Sequence, residues 1–387
     1  MESVMESNRV GGMEEFHVMR VMALAEQLEK EGMDIIHMEV GEPDFRAPDA
    51  VKNAAISAIE GGATGYTSAL GLPELREKIS EYYVKRYNYK VDNNRIVVTP
   101  GASGALLLAL AATVDVGDGV LVTDPGYPCN RNIVRSLGAK DIPVAVTATE
   151  NYQLSAGLLE KYLTADVRAA IVSTPSNPTG TVISAEELLR VYERLSVNSS
   201  ILIVDEIYHG LTYEDDMETA LNISDDIFVV NSFSKYFSMT GWRLGWLVVP
   251  SKMVNVVERL SQNLIIAPST IAQYAAIACF EEEQIEIYDH RRDIFKERRD
   301  FLVKALTEIG FKIEVVPEGA FYIYADCSLF TNDSYQFCFD LIKHTGVAIT
   351  PGKDFGYNNS HKYVRFAYAN SMKNLRVGVS RMKEYLL

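Results

Sequence analysis

The sequence predicts an α/β fold built on a mainly parallel sheet. From about residue 95, short apolar runs rich in β-branched residues alternate with longer runs that have helical periodicity. Continuous apolar runs suit strands that are covered on both faces, and such strands are typical of parallel sheets. The predicted strands are 95–99, 119–124, 169–173, 201–206, 227–234 and 244–249.

Two kinds of helix are predicted among these strands. The segment 102–114 (ASGALLLALAATV) is apolar on nearly every face, which predicts a buried helix. Ser184 and Glu187 have the spacing of a capping box at the start of the amphipathic stretch 187–195. This stretch is therefore predicted to be a crossover helix.

The two ends of the chain have a different pattern. Residues 14–31 and 288–309 are predicted to form amphipathic helices. After residue 310, three short predicted strands (GFKIEVV, FYIYA and YVRFAYA) are interleaved with a helix near 334–344, an α+β arrangement.

The length of the chain, 387 residues, favours two domains. We expect a large α/β domain at about 46–270. We expect a smaller α+β domain that combines 1–45 with 271–387.

Composition narrows the possible functions. The formal net charge of −15 argues against a nucleic-acid partner, because phosphate backbones bind basic surfaces. Four widely spaced cysteines without a CxxC pair favour reduced thiols over a disulfide framework or a metal site. The acidic, polar N-terminus has no apolar core of a signal peptide, and no stretch approaches the roughly 18 apolar residues of a membrane span. We therefore expect a cytoplasmic protein with no metal and no membrane partner.

The segment with the most chemical content is 232–246 (SFSKYFSMTGWRLGW). It begins where an apolar strand ends, at the edge where open α/β sheets bind ligands. Burial would lower the pKa of Lys235, and a neutral amine is a nucleophile toward aldehydes. Ser232, Ser234 and Arg243 are donors suited to a phosphate. A strand-end loop with a surface lysine is the plainer alternative, and this segment alone leaves both open.

This segment resembles the lysine signature of the class I aminotransferases, which belong to the fold-type I group of pyridoxal-phosphate enzymes. Further landmarks follow in the order of that family: GEPDF (41–45), GYT (65–67), GLPELR (71–76), PGAS (100–103), PGYP (125–128), NPTG (177–180), DEIY (205–208) and Arg365. The resemblance runs from about residue 33 to the end. It implies a pyridoxal 5'-phosphate enzyme that moves an amino group from an L-amino acid to a 2-oxo acid with ping-pong kinetics.

The resemblance also implies catalytic roles. Lys235 would hold the cofactor as a Schiff base and act as the general base. Asp205 would pair with the pyridine nitrogen, because a carboxylate keeps that nitrogen protonated. Tyr208 and Asn177 would hydrogen-bond the phenolic oxygen. Taken alone, Asp205 is better explained as a helix cap at a strand end, and the Asn177 segment as a turn; the other landmarks reverse this preference.

Binding roles follow in the same way. Tyr127 would stack on the cofactor ring, and Arg365 would bind the substrate α-carboxylate together with backbone groups of Gly41 and with Asn177. Tyr66 would reach the phosphate of the partner subunit's cofactor, which implies a homodimer with shared active sites.

The phosphate would lie at a helix N-terminus, where backbone N–H groups bind anions. The resemblance places Ala102 and Ser103 there. Ser232, Ser234 and Arg243 would complete this phosphate site.

Two questions stay open. The same fold and cofactor residues serve C–S lyases and other α-family lyases, and a cofactor-binding regulator is an alternative from another class. No cation can be assigned to a distal substrate carboxylate, so a neutral, aromatic or broad amino donor is expected. Residues 263–267 and 355–357 could line a pocket for such a side chain, while Lys353 and Lys362 keep aspartate possible.

Overall fold

A computed structural model of the protein describes residues 7, 9, 11–13, 15–213 and 218–387. Its helices are α1 (His17–Lys30), α2 (Asp49–Glu60), α3 (Pro73–Tyr87), α4 (Gly101–Ala111), α5 (Pro128–Ser136), α6 (Ala156–Tyr162), α7 (Ala185–Val197), α8 (Val254–Leu264), α9 (Thr270–Ile277), α10 (Glu282–Ile309), α11 (Ser334–Thr345) and α12 (Met372–Leu386). Its strands are β1 (Ile36–His37), β2 (Ile96–Thr99), β3 (Gly119–Asp124), β4 (Lys140–Ala145), β5 (Val167–Ser173), β6 (Ile201–Asp205), β7 (Phe228–Ser232), β8 (Gly245–Val248), β9 (Tyr322–Asp326), β10 (Val347–Ala348), β11 (Thr350–Pro351) and β12 (Tyr363–Ala367). Position 14, where the first predicted helix starts, lies outside the described residues.

Seven strands form the central sheet in the order β2-β8-β7-β6-β5-β3-β4. Strands β3 to β7 pair in parallel, whereas β8 runs antiparallel to both β7 and β2. Alternate strand residues enter two separate hydrophobic clusters, as Val97 and Val98 do. This division requires apolar side chains on both faces, which explains the continuous apolar runs in the sequence. The predicted α/β fold with a mainly parallel sheet is confirmed.

Helix α4 is the buried helix that its composition predicts. It packs against β7 and β8, and Leu106, Leu108 and Leu110 are buried in one of the two clusters. This packing holds the N-terminus of α4 beside the ends of the central strands.

Helix α7 begins as predicted but with half of the expected capping box. The Ser184 hydroxyl accepts a hydrogen bond from the Glu187 N–H at 3.2 Å. The Glu187 carboxylate does not return to Ser184 and instead accepts from the Ala156 N–H at 2.8 Å. Glu187 therefore ties α7 to the start of α6.

Two strand assignments differ from the sequence prediction. Strand β4 was not predicted, because its sequence KDIPVA lacks the apolar run of a central strand; it lies at the sheet edge and is mostly not buried. The predicted strand GFKIEVV is wrong, since only Lys312 pairs there, in an isolated bridge with Asp326.

The remaining strands form two small sheets. Strands β11, β12 and β9 make an antiparallel sheet in which Arg365 lies opposite Thr350 on one side and Tyr324 on the other. Strand β1 pairs in parallel with β10, so the N-terminal segment is joined to the C-terminal part of the chain. The domain boundaries near 46 and 270 stay a prediction.

The fold brings the ends of several strands to one edge. Parallel strands β5 and β6 end at Ser173 and Asp205, and β7 ends at Ser232, three residues before Lys235. Ligands of open α/β sheets bind at this carboxyl edge. Arg365, on β12 of the small antiparallel sheet, lines the same cavity as Asp205 and Lys235.

Gly245 begins β8 where β8, β7 and the start of α4 meet. A Cβ at this position would lie 2.7 Å from the Asn231 carbonyl oxygen, 2.8 Å from the Gly101 carbonyl carbon and 3.0 Å from the Ala102 nitrogen. These are backbone atoms that cannot rotate away. We expect Gly245→Ala to lower the free energy of unfolding by about 1–3 kcal/mol through overpacking, measured as a lower thermal midpoint of the cofactor-free protein.

Gly241→Ala is the matched control for Gly245→Ala, because a Cβ at residue 241 meets no heavy atom within 4 Å. Its midpoint should equal that of the wild type. If both variants had the same thermal midpoint, the close contact of residue 245 with the surrounding backbone would not limit stability, and the prediction would be wrong.

Candidate active site

A cavity of about 350 Å³ lies at the carboxyl edge of the central sheet. All the site residues predicted from the sequence line it, except Ser232 and Tyr66. Ser232 is buried behind the cavity, where its hydroxyl donates to the Leu244 carbonyl at 3.0 Å and lies 2.9 Å from Ser234 Oγ. Tyr66 is 85% exposed and does not line the cavity of its own subunit.

Lys235 is partly buried, and its amine faces this cavity. Its Nζ donates a hydrogen bond to the Gly41 carbonyl oxygen at 2.6 Å. Burial lowers the pKa of Lys235 to about 8; Arg365 and Arg243 also lower it, while the acidic groups Glu42 and Asp205 oppose them. The amine is therefore neutral in a substantial fraction of molecules near physiological pH, as a nucleophile requires.

Asp205 is the last residue of β6 and is buried. Its Oδ1 accepts one hydrogen bond, from the Ile207 N–H at 3.1 Å. Burial raises the pKa of Asp205 to about 7, an effect that the Ile207 N–H and Lys235 reduce. A cationic group in the cavity would keep this carboxylate ionised, since an opposite charge favours the ionised form.

Arg365 lies across the cavity and is held by hydrogen bonds and by two aromatic rings. Its Nη1 donates to Asn177 Oδ1 at 2.9 Å, and its Nη2 donates to the Glu39 carbonyl oxygen at 2.6 Å. Its Cζ lies 4.3 Å from the centroid of the Tyr322 ring and 4.8 Å from that of Phe355. The buried Nε has no hydrogen-bond partner among the described residues.

Arg243 lies beside the N-terminus of α4. Gly101 and Arg243 both adopt positive φ, 70° and 52°, and a Cβ on Gly101 would lie 2.8 Å from Arg243 Nη2. The first turn of α4 carries Ala102 and Ser103, whose backbone N–H groups have no acceptor within the helix. A guanidinium beside a helix N-terminus suits a phosphate.

The aromatic residues of the cavity include one that the sequence did not single out. Tyr127 immediately precedes α5 and lines the cavity, and burial raises its pKa. Tyr208 is buried with its hydroxyl 2.8 Å from that of Tyr322. Tyr322 was predicted only as part of a strand, because nothing in FYIYA marks it as functional.

Helix α1 supplies a wall of the cavity through Phe16, Val18, Met19 and Met22, at and inside its start. The Asp354 carboxylate accepts hydrogen bonds from the N–H groups of His17 at 2.6 Å and of Val18 at 2.9 Å. The amphipathic pattern of α1 indicated one buried face. It could not indicate which surface that face would cover.

The chemistry of these groups defines a class of enzyme site. A partly neutral lysine amine, a buried carboxylate, and a helix N-terminus with an arginine beside it lie around one cavity. This donor set fits pyridoxal 5'-phosphate: the amine suits its aldehyde, Asp205 suits its ring nitrogen, and the Arg243 group suits its phosphate. Arg365 lies apart from Arg243 and the start of α4, and its guanidinium suits a carboxylate of the substrate.

Comparisons with known proteins agree with this class. The family model for aminotransferase class I and II matches residues 33–382. A valine–pyruvate aminotransferase from Mycobacterium tuberculosis is 38% identical over 97% of this chain and 97% of its own length. A (5-formylfuran-3-yl)methyl phosphate transaminase from Methanocaldococcus jannaschii is 37% identical over 99% of this chain and 100% of its own. The crystal structure of an aminotransferase from Mycobacterium tuberculosis has a TM-score of 0.95 at 37% identity, covering 99% of both chains.

The chain belongs to the class I and II aminotransferase family. It is a pyridoxal-phosphate-dependent aminotransferase with the fold-type I architecture, which confirms the resemblance carried by the Lys235 segment and the ordered landmarks. Among the helices in the described part of the chain, none is both long and apolar enough to cross a membrane. The described residues also contain no group of three or more histidine, cysteine or acidic side chains that could hold a metal ion.

The lowered pKa of Lys235 gives a pH dependence for cofactor uptake. Below about pH 8 the amine of the cofactor-free protein is mostly protonated and unreactive, and above it the amine is mostly neutral. We expect the rate of uptake to rise through about pH 8 and then level off. The growth of visible absorbance after mixing cofactor-free protein with pyridoxal phosphate, from pH 6.5 to pH 10, measures this rate.

The control is Nα-acetyl-lysine mixed with the same cofactor. Its rate shows how ionisation of the cofactor itself changes the reaction with pH, apart from any effect of the protein. Its rate should continue to rise toward the ordinary lysine pKa of about 10.4. A protein whose uptake follows the acetyl-lysine curve would contradict the lowered pKa.

Proposed function

We propose that the protein transfers an amino group from a neutral or aromatic L-amino acid to a 2-oxo acid with ping-pong kinetics, and that the cofactor is attached at Lys235. The observation that carries the proposal is the convergence of Lys235, Asp205 and Arg365 on one cavity. Each has a chemical property that transamination needs: a low-pKa amine, a buried carboxylate and a carboxylate-binding arginine.

When bound, pyridoxal phosphate supplies a ring that accepts the electron pair released at the α-carbon of an amino acid. Asp205 would keep a proton on the ring nitrogen. Tyr208 and Asn177 would donate to the phenolic oxygen; Asn177 uses its Oδ1 to accept from Arg365, which leaves its amide N–H groups for this task. Tyr127 would lie against the ring.

The phosphate would be held at the start of α4. Ala102 and Ser103 offer backbone N–H groups, and Arg243 offers a guanidinium. Ser234 lines the cavity, and Ser232 would act from behind it through the contact between the two hydroxyls.

Lys235 Nζ would move the proton. A neutral amine with a pKa of about 8 is an effective base near neutral pH. Arg365 would fix the α-carboxylate of the substrate, with Gly41 supplying backbone groups at the same end, so that the Cα–H bond faces Lys235. Because one product leaves before the second substrate binds, ping-pong kinetics are expected.

The cavity wall supports a neutral or aromatic amino donor. Among the described residues that line the cavity, the cations are Lys235, Arg243 and Arg365, and each already has a task. Lys353 forms an ion pair with Asp333 at 3.5 Å outside the cavity, and Lys362 is exposed. Phe355 and the α1 residues that line the cavity instead form an apolar wall, whereas 263–267 do not line it.

We further propose a cytoplasmic homodimer in which Tyr66 reaches the partner subunit's cofactor. The exposure of Tyr66, 85% in a single subunit, supports a partner that covers it.

Lys235→Ala tests the attachment point. We expect loss of transamination by at least about 10³-fold, since both the attachment and the base are removed. After borohydride reduction of Lys235→Ala, we also expect mass spectrometry to find no cofactor on the peptide that contains residue 235.

The control for Lys235→Ala is Lys353→Ala, which removes a lysine outside the cavity and should keep wild-type turnover. Wild-type turnover and a trapped adduct in Lys235→Ala would remove residue 235 from the mechanism.

A panel of amino donors tests substrate choice. With single half-reactions followed by absorbance, we expect neutral and aromatic donors to react at least about tenfold faster than aspartate, because a buried carboxylate without a cation is costly. Equal or faster reaction with aspartate would contradict the assignment of the apolar wall.

The same samples distinguish a lyase from a transaminase. With 2-oxoglutarate as acceptor, a transaminase produces glutamate, whereas a C–S lyase produces pyruvate and ammonia from a sulfur-containing donor. We expect glutamate.

A further inference from the structure

Tyr322 lies between the two halves of the proposed site. It is the first residue of β9, and its side chain is 1% exposed. It lines the cavity that contains Lys235, yet the proposed function gives it no task.

Three contacts connect Tyr322 to residues with proposed roles. Its hydroxyl lies 2.8 Å from the Tyr208 hydroxyl. Its ring centroid lies 4.3 Å from Arg365 Cζ. Its Oη occupies the space beside Gly41, where a Cβ would lie only 2.5 Å away. The Tyr322 side chain therefore contacts Tyr208, which is proposed to bind the cofactor, and Arg365, which is proposed to bind the substrate carboxylate. It also contacts Gly41, whose carbonyl binds Lys235.

The contact with Gly41 explains why residue 41 is a glycine. Gly41 does not adopt positive φ, so its backbone conformation does not demand glycine. The hydroxyl oxygen of Tyr322 is the atom that excludes a side chain at residue 41. A Cβ there would lie 3.5 Å from Cζ and 3.7 Å from Cε1 of the Tyr322 ring, and both of these are ordinary contact distances. The Gly41 carbonyl accepts the hydrogen bond of Lys235 Nζ, so a shift of this segment would move the lysine's partner.

Either hydroxyl of the tyrosine pair can act as the donor, and the charge beside the pair favours one direction. Burial raises the pKa of both, so both hydroxyls are neutral, and each has one proton to donate. Arg365 lowers the pKa of both hydroxyls, but its guanidinium lies over the ring of Tyr322, with Cζ 4.3 Å from the centroid, and this position favours Tyr322 as the donor. When Tyr322 donates, the Tyr208 O–H is left for a third acceptor.

We propose that Tyr322 is a positioning residue for transamination: its hydroxyl donates to Tyr208 and directs the Tyr208 proton into the cavity, while its ring supports the Arg365 guanidinium. This inference rests on the proposed roles of Tyr208 and Arg365. It adds that both are held by a single side chain, and that Gly41 is fitted to that side chain.

Tyr322→Phe separates the two tasks, because it keeps the ring under Arg365 and removes the hydroxyl. We expect kcat to fall about fivefold, the effect of losing one hydrogen bond between neutral groups, while KM for the amino donor changes less than about twofold. The visible absorbance of the holoenzyme should titrate at higher pH than in the wild type, because a less oriented Tyr208 stabilises the ionised phenolic oxygen less. A fold defect alone would not move this titration.

Tyr368→Phe is the matched control. Tyr368 forms a similar buried pair with Tyr213, with hydroxyls 3.1 Å apart, and neither residue lines the cavity. This variant loses a hydroxyl from a tyrosine pair and should keep the wild-type kcat and titration.

Gly41→Ala and the double variant Gly41→Ala/Tyr322→Phe test the contact itself. Gly41→Ala should lower kcat/KM about tenfold and lower the thermal midpoint of the cofactor-free protein, because Oη and the new Cβ cannot both fit. Removing Oη should bring the double variant back to the values of Tyr322→Phe, both in kcat/KM and in the midpoint of the cofactor-free protein.

Four results would overturn the inference. These are a Tyr322→Phe enzyme that matches Tyr368→Phe in kcat and titration, a Tyr322→Phe enzyme altered in KM alone, and a double variant no better than Gly41→Ala. The fourth is a wild-type protein that takes up no cofactor, which overturns the proposed function as well. The first three leave the wild-type reaction intact and so are distinct from the fourth.

Discussion

The hydrogen bond from Lys235 Nζ to the Gly41 carbonyl is the interaction on which the rest of the site depends. A carboxylate in that position would favour the ammonium form and raise the pKa of the lysine. A backbone carbonyl accepts the hydrogen bond without contributing a full negative charge. The amine can therefore be held in place while its pKa stays at about 8, so that a fraction of it is neutral near physiological pH.

Because the Gly41 carbonyl binds Lys235, the N-terminal segment is part of the active site. Two residues before Gly41, the Glu39 carbonyl accepts hydrogen bonds from Arg365 at 2.6 Å and from the Thr350 hydroxyl at 3.0 Å. One residue before Glu39, the Met38 N–H donates to the Ala348 carbonyl, and the Met38 carbonyl accepts from the Ala367 N–H. Lys235 and Arg365 are thus positioned by carbonyl groups of one extended segment, whose own place is fixed by backbone pairing with the C-terminal part of the chain.

The sequence predicted the parts of the site that are encoded locally. Lys235 and Asp205 could be placed at the sheet edge because each follows an uninterrupted apolar run, and a parallel strand ends where such a run ends. Tyr322, Glu39 and Asp354 could not be predicted, because their contacts join residues far apart in the chain, as Tyr208 and Tyr322 are. The same limit applies to strands: β4 is stabilised by its neighbour β3 at the edge, whereas GFKIEVV has the composition of a strand but gains only one bridging pair.

The charges of the cavity explain how a protein with a net charge of −15 can bind anionic substrates. Charges farther away than about 8 Å are largely screened at physiological ionic strength, so the nearest groups decide the local potential. Two of the three acidic residues that line the cavity are already compensated. The Asp354 carboxylate accepts hydrogen bonds from two N–H groups of α1. The Glu39 carboxylate accepts a hydrogen bond from the His37 ring at 2.7 Å. This contact raises the pKa of His37 to about 9, so His37 is charged at neutral pH. The two arginines then dominate, and each is directed by its contacts toward a different end of the cavity, one beside the helix N-terminus and one beside the Gly41 segment.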